Sequence, residues 1–343
     1  MEHRPLGRTG VSVSKLCLGA MMFGDWGEKD HDGSIRIIHA ALDAGIDFID
    51  TADVYSAGES EEIVGKALRG RRDDVVLATK VFMPIGDDEN PNRRGTSRRW
   101  IVQEVENSLR RLNTDWIDLY QVHRPTPDTD IEETLGVLSD LIHQGKVRYI
   151  GHSTYPAPLI VEAQWTARER RLQRFVTEQP PYSILTRGIE AEVLPTCRRY
   201  GMGVIAWSPL QGGWLSGLYR KDAEITGPQS AARRREANDY DLSLPENQRK
   251  LDAAEQLAQL AEEAGLTLIQ LALAFVLNHP AVTAPIIGPR TMEHLESQLA
   301  AADVVLEQAV LDRIDEIVPP GVNLNPADGG WQNPSLRPEA RRR

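Results

Sequence analysis

Four ionisable side chains stand at the ends of short apolar runs within the first 123 residues. Asp50 closes the run Gly45-Ile46-Asp47-Phe48-Ile49, and Tyr55 follows in the stretch Asp50-Thr51-Ala52-Asp53-Val54-Tyr55. Lys80 comes directly after Val76-Leu77-Ala78-Thr79, and His123 after Ile117-Asp118-Leu119-Tyr120-Gln121-Val122. Each run reads as a strand, so each polar residue falls where a strand gives way to a loop. Tyrosine, with a reference pKa of about 10, is a weak acid at neutral pH, and a neighbouring ammonium stabilises its phenolate form. Lys80 supplies such an ammonium, Asp50 can be its counterion, and His123 can hold a carbonyl oxygen near the phenol. This set protonates an oxygen that gains negative charge as hydride reaches its carbon. The quartet lacks the third strong ligand of a catalytic zinc site, and no Ser or Cys sits in a nucleophile motif.

For the four to meet, their strands must be neighbours with a common rim. Short β-rich runs alternate with helical stretches along the chain. Lys15 to Gly19 precedes a helix over Asp32 to Ala44, Ile46 to Asp50 precedes Glu59 to Leu68, and Val75 to Lys80 precedes Ser97 to Leu112. Trp116 to His123 precedes Ile131 to His143, Val147 to His152 precedes Pro156 to Arg170, and Phe175 to Gln179 precedes Arg187 to Tyr200. Gly203 to Trp207 opens a seventh unit and Val282 to Ile287 is the eighth strand. Glu61-Ile63-Val64-Ala67-Leu68 has the three-four spacing of one buried helix face, while Val75-Val76-Leu77-Ala78 is a continuous apolar run, as in a strand covered on both sides. Eight such units predict a single-domain parallel (β/α)8 barrel over 1–343, with a doubly wound sheet as the alternative. Gly19-Ala20-Met21-Met22 is not the Gly-x-Gly-x-x-Gly turn of that alternative. In a barrel the strand ends carry the active site, which puts the quartet there.

Outside the rhythm, Leu6 to Leu16, with Gly7 and Gly10, suits a capping hairpin. Gly212 to Asn247 is a long polar excursion containing Arg233-Arg234-Arg235, and 318–343 is a Pro- and Gly-rich tail; loops of such length serve as lids or are disordered.

At 41% hydrophobic and 26% charged residues the chain has a globular composition, which removes disorder, collagen and coiled coil. A net charge of -11 argues against general affinity for nucleic acid or anionic membranes, so a phosphate-bearing ligand needs a local basic pocket. Cys17 and Cys197 build no disulfide framework, which fits a reducing compartment. Met1-Glu2-His3-Arg4-Pro5 has no signal-peptide core, and the apolar stretch around Leu266 to Leu277 is too short to span a bilayer, so the expectation is a cytoplasmic protein.

Asp50-Thr51-Ala52-Asp53-Val54-Tyr55, Lys80, Gln121-Val122-His123-Arg124-Pro125, Glu178-Gln179-Pro180-Pro181-Tyr182-Ser183 and Trp207-Ser208-Pro209-Leu210 together resemble the aldo-keto reductase superfamily over nearly the whole chain. The likeness is greatest to bacterial and plant members with a long loop after the seventh strand. It implies a (β/α)8 barrel that binds NADPH (NADP+) without a Rossmann motif, in preference to NADH, and reversibly reduces an aldehyde or ketone to an alcohol. Tyr55 resembles the general acid, Lys80 the lysine that acts on it, Asp50 that lysine's counterion and His123 the carbonyl-orienting residue. Ser153 and Gln179 resemble the pair that hydrogen-bonds the nicotinamide carboxamide, and Trp207 the aromatic that stacks on the ring. Ser208, Leu210 and Gly212 resemble the pyrophosphate loop. Gly288, Arg290, His294 and Gln298 resemble the segment that grips the adenosine 2'-phosphate, with Arg290 as phosphate ligand. His294 stands where Gln or Arg is common and Gln298 where Asn is common.

A cofactor-binding regulatory or channel-associated subunit with little turnover is the second reading, and a barrel hydrolase using His123 with a metal the third. Met22, Phe23, Trp26, Val54, Met83 and Arg124 are candidates for the substrate wall. The arginines at 93, 94, 98 and 99 either attract an anionic substrate or form a solvated face. Substrate identity and oligomeric state are not legible.

Overall fold

Eight short strands form a closed parallel barrel in a computed structural model that describes residues 1–221 and 240–341. They are β3 (Cys17–Gly19), β4 (Phe48–Asp50), β5 (Val76–Val81), β6 (Ile117–Val122), β7 (Val147–Ser153), β8 (Thr177–Gln179), β9 (Gly203–Ala206) and β10 (Ala284–Ile287). Each pairs with its predecessor, and β10 returns to β3. Helices α1 (His31–Asp43), α2 (Glu59–Ala67), α3 (Arg98–Leu112), α4 (Ile131–His143), α5 (Ala157–Arg170) and α6 (Val193–Tyr200) follow the first six strands. α7 (Pro245–Glu263) and α8 (Leu268–Asn278) lead into β10, and α9 (Met292–Leu299) and α10 (Gln308–Ile317) follow it. The expected alternation is therefore present. The apolar Leu266–Leu277 stretch is largely the buried helix α8, started by a Thr267–Gln270 capping box. Among the described residues no single helix is long and apolar enough to cross a membrane.

Two expected boundaries shift. The hairpin pairs β1 (His3–Pro5) with β2 (Ser12–Ser14), and Leu6 to Val11 is its turn. Gly7 belongs to the turn because it lies at φ +61 against the barrel floor, where a Cβ would stand 2.7 Å from the Gly203 nitrogen. The helix expected from Arg187 begins only at Val193, after a 3₁₀ turn over Gly188–Glu190. Arg187 is turned toward Glu190, Asp315 and the Val318 carbonyl instead. The Arg233-Arg234-Arg235 stretch lies outside the described residues.

Strand alternation positions the site. Phe48, Ala78, Leu119 and Ile205 fill the barrel interior with Cys17, Val176 and Ala284, and Leu6 and Val13 of the hairpin close the floor. Two residues further along come Asp50, Lys80 and Gln121 on their strands and Trp207 just past the end of β9. Side chains two apart share a face, so Phe48, Ala78, Leu119 and Ile205 each carry a polar or aromatic residue above them at the carboxyl rim. At the alternate positions Ile49, Leu77, Tyr120, Val204 and Ala206 face outward and join the helix-layer core.

If the interior is a packed floor for the polar layer, Phe48→Ala should cost about 3–5 kcal/mol. Urea denaturation checks this; a loss under about 1 kcal/mol would mean that the floor does not bear on the fold.

Candidate active site

Lys80 is fully buried at the end of β5, and its Nζ reaches three oxygens. It pairs with Asp50 Oδ1 on β4, donates to the Thr51 carbonyl at 2.8 Å and meets the Tyr55 hydroxyl at 3.1 Å. Adjacent strands in register, Asp50 beside Ala78, bring the first contact about. Tyr55 opens a 3₁₀ turn after β4, which returns its ring over the rim, with the Lys80 ammonium 4.8 Å from the ring centroid. His123 follows β6 and meets the Tyr55 ring edge-on at 5.8 Å. The four residues read from the sequence thus lie together. Trp26 packs at 5.9 Å on another side of Tyr55, while Phe23, expected on the substrate wall, is fully buried in the core.

Burial opposes the charge on Lys80, but Asp50 and Tyr55 outweigh it and hold the ammonium above its ordinary pKa. Burial, then Lys80 and Arg124, pushes the His123 imidazole well below its ordinary value, so it is neutral at neutral pH. Its Nδ1 is buried without a hydrogen-bond partner among the described residues. A neutral ring can donate one N–H to a carbonyl oxygen without adding a second charge beside Lys80. Asp50 receives further donors on Oδ2, from Gln121 Nε2 at 3.0 Å and Gln179 Nε2 at 2.8 Å.

Ser153 and Gln179 are register partners across β7 and β8, and the Ser153 hydroxyl donates to the Gln179 carbonyl at 2.7 Å. Because the Gln179 amide N–H groups go to Asp50 and Gln121, its amide oxygen is the group left to face a ligand. Trp207 lies at the rim with its Nε1 buried and unpartnered. Beyond it Ser208 (φ 54) and Gln211 (φ 46) are left-handed, and among the described residues nothing accepts from the backbone N–H of Ser208 or Leu210. Gly212, at φ 65, completes the turn. Open N–H groups in such a turn suit an anion.

After β10, Gly288 is exposed and Arg290 is half-buried with no hydrogen-bond or ion-pair partner among the described residues. His294 sits in the first turn of α9, where Thr291 caps its backbone N–H at 3.2 Å. Burial, then Arg290, lowers its pKa, so its ring adds no charge near neutrality. Gln298 is buried with Oε1 unpartnered.

Several residues at this mouth escaped the sequence reading. Gln121 is one; its place two residues after an interior leucine was the available signal. Thr154 is held at φ 61, an outlier for a β-branched residue, and accepts from Arg124 Nη1 at 3.0 Å. The tail was expected as a lid or as disorder. It runs beside residues 185–188, with Leu324 N donating to Leu185 O at 3.1 Å and Gly188 N to Asn323 Oδ1 at 2.7 Å. Asp328 then meets the buried Lys250 at 3.3 Å, and a Cβ on Gly330 would come within 2.7 Å of Thr154 and of the Trp207 ring. Tail, Trp207 and the 208–212 turn enclose a cavity of about 220 Å³. Behind the quartet, Asp53 donates its backbone N–H to the Lys80 carbonyl at 3.2 Å, and both its carboxyl oxygens are buried without a side-chain partner among the described residues. Among the described residues no three His, Cys, Asp or Glu side chains gather in a metal-holding group.

The Aldo/keto reductase family matches residues 15–319. The chain is 42% identical to the uncharacterized oxidoreductase YrpG of Bacillus subtilis (strain 168), over 96% of this chain and 100% of that protein. It is 38% identical to the aldo-keto reductase YhdN of the same organism, over 87% of each chain. It is 36% identical to a probable voltage-gated potassium channel subunit beta of Oryza sativa subsp. japonica, over 93% of this chain and 97% of that one.

Burial, then Glu61 and Glu104, pushes the Asp53 carboxyl well above the ordinary aspartate range. The fold therefore favours the protonated acid. Its contribution is full at acid pH and is lost as pH rises from about 3.9, the unfolded value, through the raised folded value. Asp53→Asn, which stays neutral, should unfold at higher urea than wild type at about pH 8, with the gap narrowing toward about pH 5. An equal midpoint difference at both pH values would contradict this.

Proposed function

The chain belongs to the aldo/keto reductase family, and we propose that it is an NADPH-dependent oxidoreductase, a single domain that reduces an aldehyde or ketone reversibly to an alcohol. One observation carries the reading: Lys80 Nζ contacts Asp50, the Thr51 carbonyl and the Tyr55 hydroxyl at once. Tyr55 is the general acid. Its hydroxyl, fixed by Lys80, points a proton at a carbonyl oxygen, and neutral His123 holds that oxygen by hydrogen bonding. Asp50 keeps the ammonium charged and in place, and Gln121 and Gln179 hold Asp50.

The mouth fits a nicotinamide dinucleotide phosphate, since unpartnered polar groups recur where its parts would lie. Ser153 and the Gln179 amide oxygen would take the carboxamide, and the Trp207 face the nicotinamide ring. The open N–H groups of Ser208 and Leu210, with Gly212, would take the pyrophosphate. Arg290 would grip the 2'-phosphate beside Gly288, His294 and Gln298. When bound, the reduced nicotinamide supplies the hydride. The substrate is a small carbonyl compound, and no nucleic acid or membrane partner is proposed for this cytoplasmic enzyme.

A cofactor-binding channel-associated subunit is the second reading, favoured by the likeness to the rice protein named as a channel subunit. Slow turnover with tight NADPH binding for every carbonyl tried would support it over the first.

Tyr55→Phe should lower carbonyl reduction at least about a hundredfold while NADPH quenching of tryptophan fluorescence stays near wild type. Unchanged turnover would remove Tyr55 from the proposed role. Arg290→Ala should weaken NADPH about tenfold or more and leave NADH nearly unaltered; equal effects on both would take Arg290 off the phosphate.

A further inference from the structure

Arg124 is a half-buried guanidinium at the mouth that lacks a carboxylate partner among the described residues. Its Nη1 donates to the His123 carbonyl at 2.8 Å and to Thr154 Oγ1 at 3.0 Å, and the group lies 5.8 Å from the Trp207 ring centroid. Its Nε and Nη2 have no acceptor among the described residues. Three other arginines withdrawn from solvent are paired with carboxylates: Arg72 with Asp118 at 2.6 Å, Arg111 with Glu61 and Glu104, and Arg187 with Glu190 and Asp315. Burial pulls the Arg124 pKa down, so its charge is held at a cost that an arriving anion would offset. Arg93 and Arg98 are exposed and already paired with Asp88 and Asp140, which makes that stretch a solvated face and no substitute for Arg124.

Arg124 stands at the edge of the cavity beside Trp207, where the other cation among the described lining residues, Lys250, already contacts Asp328 at 3.3 Å. The guanidinium is anchored on the His123 carbonyl and is close enough to act electrostatically on the His123 imidazole and on Tyr55, whose rings meet edge-on at 5.8 Å. A carbonyl held by Tyr55 and His123 would therefore have an anionic group within a few bonds at Arg124. Trp26 beside Tyr55 offers an aromatic wall to the spacer between them.

On the reductase reading, we propose that Arg124 selects substrates that carry a carboxylate near the carbonyl to be reduced, binding its two oxygens through Nε and Nη2. Arginine's planar fork matches a carboxylate in two-point contact, which neither a neutral ester nor an amide reproduces.

The test compares ortho, meta and para carboxybenzaldehyde with their methyl esters, for wild type, Arg124→Gln and Arg124→Lys, following NADPH oxidation and, separately, NADPH binding by fluorescence. For at least one ring position wild type should favour the acid in kcat/KM by about tenfold or more. Arg124→Gln should abolish that ratio, chiefly by raising KM for the acid, and Arg124→Lys should keep part of it. Reduction of the esters with no preference for any acid overturns the inference and leaves the reductase reading standing. So does an unchanged ratio in Arg124→Gln, or an NADPH affinity that falls as far as the acid's, which would put Arg124 on the cofactor. If wild type reduces no aldehyde of either kind, the reductase reading falls and the inference with it.

Discussion

A fully buried ammonium must be neutralised where it sits, and in this barrel that requirement organises the polar layer. Lys80 has no exposure, so the energy of its charge depends on Asp50, the Thr51 carbonyl and the Tyr55 hydroxyl being within reach together. Asp50 in turn is fixed by amide donors from Gln121 and Gln179, on two strands that do not neighbour its own. Strands β4, β5, β6 and β8 are thereby joined above the apolar floor by one network. Removing either charge alone would strand the other in the barrel.

Rigidity at the mouth has a second source. Thr154 at φ 61 and Ser208 at φ 54 occupy conformations that cost on the order of 1–3 kcal/mol for such residues, and both flank Trp207 in space. Surrounding contacts over-determine them: Arg124 holds the Thr154 hydroxyl, and the tail lays Gly330 against Thr154 and the indole. Only a glycine fits there. His152 and Glu178, buried side by side behind the rim, add an anchor, since Glu178 also accepts from the Tyr155 backbone at 3.2 Å.

Strand ends were legible because barrel strands are short, apolar and regularly spaced, so Asp50, Lys80 and His123 could be read from the residue that closes each run. Tyr55 was legible only through its neighbours, since its position depends on a 3₁₀ turn with Ser56 and Ala57 in left-handed conformations that no local signal requires. The hairpin was misplaced because Gly7 answers to a long-range approach to Gly203, which pattern cannot reveal. For the same reason the sequence left the tail open between lid and disorder: its contacts with Leu185, Gly188, Thr154 and Lys250 are all distant in sequence. Arg124 was visible as a residue type, but its lack of a carboxylate partner is a property of the fold.

Single-turnover kinetics on Lys80→Met, with NADPH saturating and an aldehyde as the second reactant, addresses the central claim most directly. Asp50→Asn/Lys80→Met serves beside it, because removing both charges leaves no unpaired ion in the barrel. If Lys80 fixes the Tyr55 proton for transfer, hydride transfer should slow about a hundredfold or more in both variants while NADPH still binds. Transfer at the wild-type rate in a folded, NADPH-bound double variant would contradict the account.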